Sequence, residues 1–221
     1  MQINLLYRPA QSLARVNLEP GESVVAESGA MVGMSTNVKM ETQAGGLKAG
    51  LKRLFGGESF FRNTFTAQGS GEVLLAPSLC GDMAVIEAGD KQWCLQSSVY
   101  IANEPGAEVK TKSGGMKGFF SGAGLFILET SGRGKVIIGA FGALEQLQVD
   151  GKMVIDTGHL VAWESTLKYK VGKSGSGWVA SYFSGEGLVC HFEGQGTVWI
   201  QSRNSAEYGQ VVGSMLPPRQ N

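Results

Sequence analysis

Residues 119–142 read FFSGAGLFILETSGRGKVIIGAFG, and this stretch decides the fold. Its apolar residues alternate between glycine punctuation, the signature of short half-buried strands. The reading is two strands, Leu125–Glu129 and Lys135–Ile138, joined by a tight turn through Gly132 and Gly134. The chain writes this pattern three times, with FGGESFFRNTFTAQGSGEVLLAPS at Phe55–Ser78 and YFSGEGLVCHFEGQGTVWIQSR at Tyr182–Arg203. The G-x-G falls at Gly69/Gly71, Gly132/Gly134 and Gly194/Gly196, spacings of 63 and 62 residues. A fixed period of this kind points to duplication of one structural unit.

Working outward, a second element precedes each predicted hairpin. It begins at Ser28-Gly29, Ser97-Ser98 and Thr157-Gly158, a small pair at a bend followed by an alternating strand. The expected units are therefore about 1–84, 85–147 and 148–213, followed by a tail over 214–221. A unit of about 65 residues buries too small a fraction of its surface to stand alone. The expectation is a single all-β domain over 1–213, three tandem repeats of a small sandwich or barrel around a pseudo-threefold axis. Short units of this kind leave strand edges that must be paired or buried, which points to a homo-oligomer, a trimer or a multiple of it.

Composition fits this reading. The chain has 221 residues, 43% apolar and only 17% charged, with 33 glycines and no G-X-Y period. Formal net charge is zero, which argues against a dedicated nucleic-acid binder. The start, MQINLLYRPAQSLARV, has no basic segment followed by an apolar run, and no stretch approaches the roughly 18 apolar residues of a membrane helix. Cys80, Cys94 and Cys190 form no C-x-x-C pair. Reduced, mostly buried thiols in a cytoplasmic protein are expected.

The connectors inside the three units differ most. In the first, Leu47, Leu51, Leu54 and Phe55 share one face of a helical stretch, with Lys48, Lys52 and Arg53 around the rest. This predicts one short amphipathic helix near 46–55, bracketed by paired glycines. Around the three connectors (39–57, 108–118 and 164–177) stand ten basic against three acidic residues, a surplus of seven in a chain of zero net charge. The expectation is a basic end-face made by Leu47, Lys48, Leu51, Lys52, Arg53 and Phe55 with Lys117 and Lys173 from the other connectors. Such a face suits an acidic protein partner or anionic lipid heads. Solvated lysines on loops, with the helix plugging the end of the β-body, fit the same residues.

Catalytic patterns are absent from the sequence. His159 and His191 lie in different units, and Cys190 and His191 are adjacent on a strand, so they point to opposite faces. No G-x-S-x-G nucleophile elbow occurs. Gly172-Lys173-Ser174 ends like a phosphate loop, but Leu167 stands where the first glycine belongs. Gly122-Ala123-Gly124 lacks the third glycine of a dinucleotide fingerprint, since Ile127 stands there. No catalytic residue, metal or cofactor is assigned, and the protein is read as not an enzyme.

The Ser28-Gly29-Ala30-Met31 bend, the GGLKAGLKRLFGGESFF segment and the later G-x-G elements resemble the AIM24 family, whose eukaryotic members are linked to mitochondrial biogenesis. The resemblance covers nearly the whole chain. It implies a triplicated fold akin to the tryptophan-RNA-binding attenuation protein, in a double-stranded β-helix-like class, and no established catalytic residues. The chemistry of that namesake does not follow from likeness of fold. The leading functional expectation is a scaffold or interaction protein; the alternatives are a small-ligand or nucleic-acid module using a groove between repeats, and an enzyme of unknown type.

Overall fold

The computed structural model describes residues 1–43, 61–112, 126–173 and 188–217. Among these residues the chain is almost entirely β, and its strands follow the alternation of the sequence. They are β1 (Gln2–Leu6), β2 (Leu13–Leu18), β3 (Ser23–Glu27), β4 (Met31–Met34), β5 (Val38–Gln43), β6 (Arg62–Ala67) and β7 (Gly71–Leu75). Next come β8 (Met83–Ala88), β9 (Trp93–Gln96), a 3-10 turn (Ser97–Val99), β10 (Tyr100–Asn103), β11 (Ala107–Thr111), β12 (Ile127–Gly132) and β13 (Gly134–Gly139). The last part holds β14 (Leu144–Asp156), β15 (Leu160–Glu164), β16 (Lys168–Lys173), β17 (Leu188–Gln201) and the helix α1 (Ser205–Met215).

Three antiparallel sheets result. One is ordered β1-β2-β7-β4, the second β5-β6-β3-β10-β13-β8, and the third β11-β12-β9-β15-β17-β14 with β16 also on β17. Strands with one face on a core show strict alternation: β2 buries Ala14, Val16 and Leu18 and exposes Arg15. By contrast β9, β10 and β15 are buried at every residue. The reason for β10 and β15 is two-sided packing. Ile101 and Ala102 of β10 join the cluster around Phe65 and Leu75, while Tyr100 joins the one around Trp93 and Leu95. Val161 and Ala162 of β15 join that second cluster, while Leu160 and Trp163 join a third with Phe192.

One pairing scheme recurs along the chain. β2 pairs β7, β8 pairs β13, and the first half of β14 pairs the second half of β17. On the other side of β7, β13 and β17 lie β4, β10 and β15, each with a slip in register. β5–β6, β11–β12 and β16–β17 are paired likewise. Pairing alone does not establish a threefold axis, because β1 is an extra strand and the third part runs its strands together as β14 and β17.

The expected hairpin across Gly132–Gly134 is overturned. β12 pairs β11 and β9 in the third sheet, whereas β13 pairs β10 and β8 in the second. β6 and β7 are divided between sheets in the same way, and β17 runs unbroken through Gly194 and Gly196. At Gly69–Gly71 and Gly132–Gly134 the G-x-G is therefore a corner where the chain passes from one sheet to another, whereas at Gly194–Gly196 the strand stays in the third sheet. Gly132 and Gly134 have φ of +79° and +148°, and Gly194 has +128°, while neither Gly69 nor Gly71 lies in the left-handed region. Alternation and glycines read the same for a hairpin and for a bent strand, so the sequence could not separate them.

The predicted helix near 46–55 lies outside the described residues. The helix that is described, α1, falls at the C-terminal end, where none was expected. It starts because Asn204 is an N-cap: its side chain accepts from Ala206 N at 3.0 Å and Glu207 N at 3.4 Å.

Candidate functional site

Of the expected basic face, Leu47, Lys48, Leu51, Lys52, Arg53, Phe55 and Lys117 lie outside the described residues. Lys173 ends β16, opposite Leu188. The described strands flanking the three connectors carry Lys39, Lys110, Lys112, Lys168 and Lys170. Three of these have a carboxylate beside them: Lys39 pairs Glu41 at 2.8 Å, Lys112 pairs Glu129 at 3.0 Å, and Lys110 pairs Glu108. Exposed Lys168 and Lys170 have no carboxylate within ion-pair distance among the described residues. Pairs this open to water contribute little to stability, but they do reduce the positive charge these strands present.

A cleft of about 250 Å³ opens among Glu27, Leu79, Ser98, Phe141, Gln201 and Ser205, residues drawn from all three expected units. Gln201 is engaged at both ends of its amide: its Oε1 accepts from Phe141 N at 2.9 Å and its Nε2 donates to Gly158 O at 3.0 Å. Glu27 is the ionisable group of the lining, and burial pushes its carboxyl up to about 7. Among the described residues no histidine, cysteine or second carboxylate shares that lining. The cleft thus offers a hydrogen-bonding carboxyl near neutrality but no partner for paired acid–base chemistry.

The other buried charges tie elements together. Asp82 accepts from Arg8 Nε at 2.7 Å and Nη2 at 2.9 Å, from Ser12 Oγ at 3.1 Å and from Met83 N at 2.8 Å. Burial works against the Asp82 charge, but Arg8, Met83 and Ser12 together hold its carboxyl below the usual range. Glu164 accepts from Lys91 Nζ at 2.7 Å and Thr197 N at 3.1 Å, so it binds β15 to β17. Burial again opposes its charge, and these donors again hold the pKa low.

Cys80 is exposed, while Cys94 and Cys190 are buried. Burial pushes the Cys190 thiol up to about 12, and raises Cys94 despite Lys112 Nζ at 3.4 Å. Neither buried thiol is set up as a thiolate nucleophile. His159 Nδ1 lies 2.8 Å from Gln201 O, and His191 is exposed beside buried Cys190. Among the described residues no three His, Cys, Asp or Glu side chains gather to hold a metal, and no helix is long and apolar enough to cross a membrane.

The surface feature that sequence reading missed is α1. Tyr208, Val211, Val212 and Met215 recur at helical spacing along one face and are 51, 55, 36 and 77% exposed. Tyr208 of this stripe packs edge-on against Phe141 at 5.2 Å between ring centroids. The i, i+3, i+4, i+7 pattern and the Asn204 cap were available signals.

Together these features define, among the described residues, an all-β body of curled antiparallel sheets with one exposed C-terminal helix. The chain belongs to the AIM24 family: the family model described as "Mitochondrial biogenesis AIM24" matches residues 3–203. It is 33% identical over 220 residues to the uncharacterised protein M6_Spy0233 of Streptococcus pyogenes, covering 95% of this chain and 88% of that protein. Among solved structures it resembles protein SPYM3_0169 of the same species, with a TM-score of 0.83 and 30% identity over 97% of this chain and 99% of that one.

Proposed function

We propose that this chain is a non-enzymatic scaffold that docks an acidic protein partner or an anionic membrane surface in the cytoplasm. It acts as a single domain of three repeats over 1–213, with the triplicated architecture the family resemblance implies, and it self-associates. The observation that carries the reading is the exposed apolar stripe Tyr208, Val211, Val212 and Met215 on α1. A contiguous exposed apolar surface of this kind marks an interaction site. Charge for docking comes from the basic end-face of Lys48, Lys52, Arg53, Lys117 and Lys173, with apolar contact from Leu47, Leu51 and Phe55.

The test compares the parent with Tyr208→Ser/Val211→Ser/Met215→Ser in flotation with phosphatidylserine vesicles and in capture by an immobilised acidic peptide. The parent is expected to bind one of the two, and the triple variant to bind it at least tenfold more weakly with an unchanged melt. Equal binding by both proteins, or none by the parent, contradicts the reading.

A second reading, a small-ligand module, is favoured by the Glu27 cleft. A ligand held there by a hydrogen bond to the Glu27 carboxyl would bind with an affinity that changes near pH 7. Loss of that pH dependence in Glu27→Gln checks it.

A further inference from the structure

Two joints inside the chain are built alike. β10 adds to β3 with Ala102 opposite Ala26 and Asn103 opposite Val25. β15 adds to β9 with Ala162 opposite Leu95 and Trp163 opposite Cys94. In each case the arriving strand carries a slip in register just before the joint, between Tyr100 and Ala102 on β13 and between Leu160 and Ala162 on β17. Both arriving strands are wholly buried, as are β9 and the centre of β3.

The described residues hold one more arriving strand and one more receiving strand, and neither has a partner on its outer side among them. β4 slips against β7 between Met31 and Gly33, so Gly33 stands where Ala102 and Ala162 stand, and Met34 where Asn103 and Trp163 stand. Yet β4 is an edge strand, and Met31, Val32 and Met34 are 39, 60 and 40% exposed. On the receiving side, the amides of Ser28, Ser97 and Thr157 bond the carbonyls of Phe61, Phe126 and Leu188, which aligns the ends of β3, β9 and β14. Two residues before these amides stand Ala26, Leu95 and Ile155; three before stand Val25, Cys94 and Val154. β14 is an edge strand too, and Val154 is 58% exposed where Cys94 is 0% and Val25 9%. β4 and β14 belong to different sheets and do not pair with each other.

We infer that these two edges join between copies of the chain: β4 of one copy adds antiparallel to the second half of β14 of another, with Gly33 opposite Ile155 and Met34 opposite Val154. This names the surfaces of the self-association proposed above and rests on that part of it, not on the basic face or α1. The joint satisfies the free backbone groups of two edge strands and sets two exposed apolar side chains opposite one another as a cross-strand pair. β4 carries no charge to oppose the pairing. Since the two surfaces differ, assembly is head-to-tail, and it closes as a ring or runs on as a filament according to the rotation at the joint.

Directly opposed residues of an antiparallel pair lie about 4.5–5.5 Å apart at Cα, within the span of a disulfide. In the full chain with exposed Cys80→Ser, single variants Met34→Cys and Val154→Cys are mixed and oxidised. The mixture is expected to give a cross-linked dimer that neither variant gives alone to a comparable extent. Met34→Lys should reduce the particle mass in light scattering to that of a monomer without moving the melt, and mixing it with Val154→Glu should restore association. If the parent associates but the mixture does not cross-link and Met34→Lys stays assembled, this joint is wrong while self-association stands. A parent that remains monomeric at micromolar concentration removes both. A Met34→Cys/Val154→Cys double variant that cross-links within one chain shows that the edges meet in cis, and overturns the joint between copies.

Discussion

At the scale of single residues, glycines were legible in the sequence and charges were not. Gly132 was marked by its place in a recurring G-x-G, and the fold explains the need: a Cβ there would lie 2.4 Å from Gly106 O, at a φ of +79°. Gly134 has a φ of +148°, and a Cβ there would have the Glu104 and Ala107 side chains as its nearest neighbours, at 3.1 and 3.2 Å. Both positions are strained for a side chain, so Gly132→Ala and Gly134→Ala should each cost on the order of 1–3 kcal/mol, measurable in urea unfolding. Glu27 carried no sequence signal, since an acid at a strand end reads as surface until the fold buries it. Its carboxyl holds its proton to about pH 7 in the folded chain but releases it near 4.5 when unfolded. Its contribution is full below the unfolded value and is lost as pH rises through about 7. Glu27→Gln should remove that decline and raise stability at pH 8 by about 1–2 kcal/mol after allowance for partial exposure. Asp82 has the opposite sign: its lowered pKa gives stability at neutral pH that is lost on acidification. A melt of Asp82→Asn that matches the parent at pH 7 would contradict this.

At the scale of elements, strands were legible because alternation reports a half-buried surface directly, whereas their partners were not. Val136 to Ile138 reads as a strand whether it folds back on β12 or, as found, turns the corner to β8 and β10. The choice lies in contacts distant in sequence, such as Tyr100 OH donating to Val25 O at 3.2 Å. The helix α1 was missed because it sits beyond the last apolar run, although Asn204 and the 208–211–212–215 stripe announce it. No residue of α1 is buried, so capping rather than packing fixes its start. Asn204→Ala should cost the helix about 0.5–2 kcal/mol, seen as a loss of helical circular dichroism. The main melt should stay within a few degrees, because the sheets do not depend on α1.

At the scale of the whole molecule, the all-β class was legible in the alternation that the sequence carries throughout. What the spacing of 63 and 62 residues could not show is that sheets cross the expected unit boundaries, as β10 does in adding to β3 and β15 in adding to β9. A fragment 1–88 would lose β10, the neighbour of β3 in its sheet, and should show no cooperative melt, whereas the whole chain should melt in one transition. Docking by a basic face is the central claim at this scale, and it is reached most directly by charge. Exposed charges are screened within about 10 Å at 0.1 M salt, and each lysine near an anionic surface contributes about 1 kcal/mol. The deciding measurement is a salt titration of binding to phosphatidylserine vesicles or an acidic peptide by the parent and by Lys48→Glu/Lys52→Glu/Arg53→Glu. The account predicts parent binding that weakens steadily as salt rises and is absent in the variant at every salt, with both proteins melting alike. Binding that ignores salt, or survives the three reversals, would contradict it.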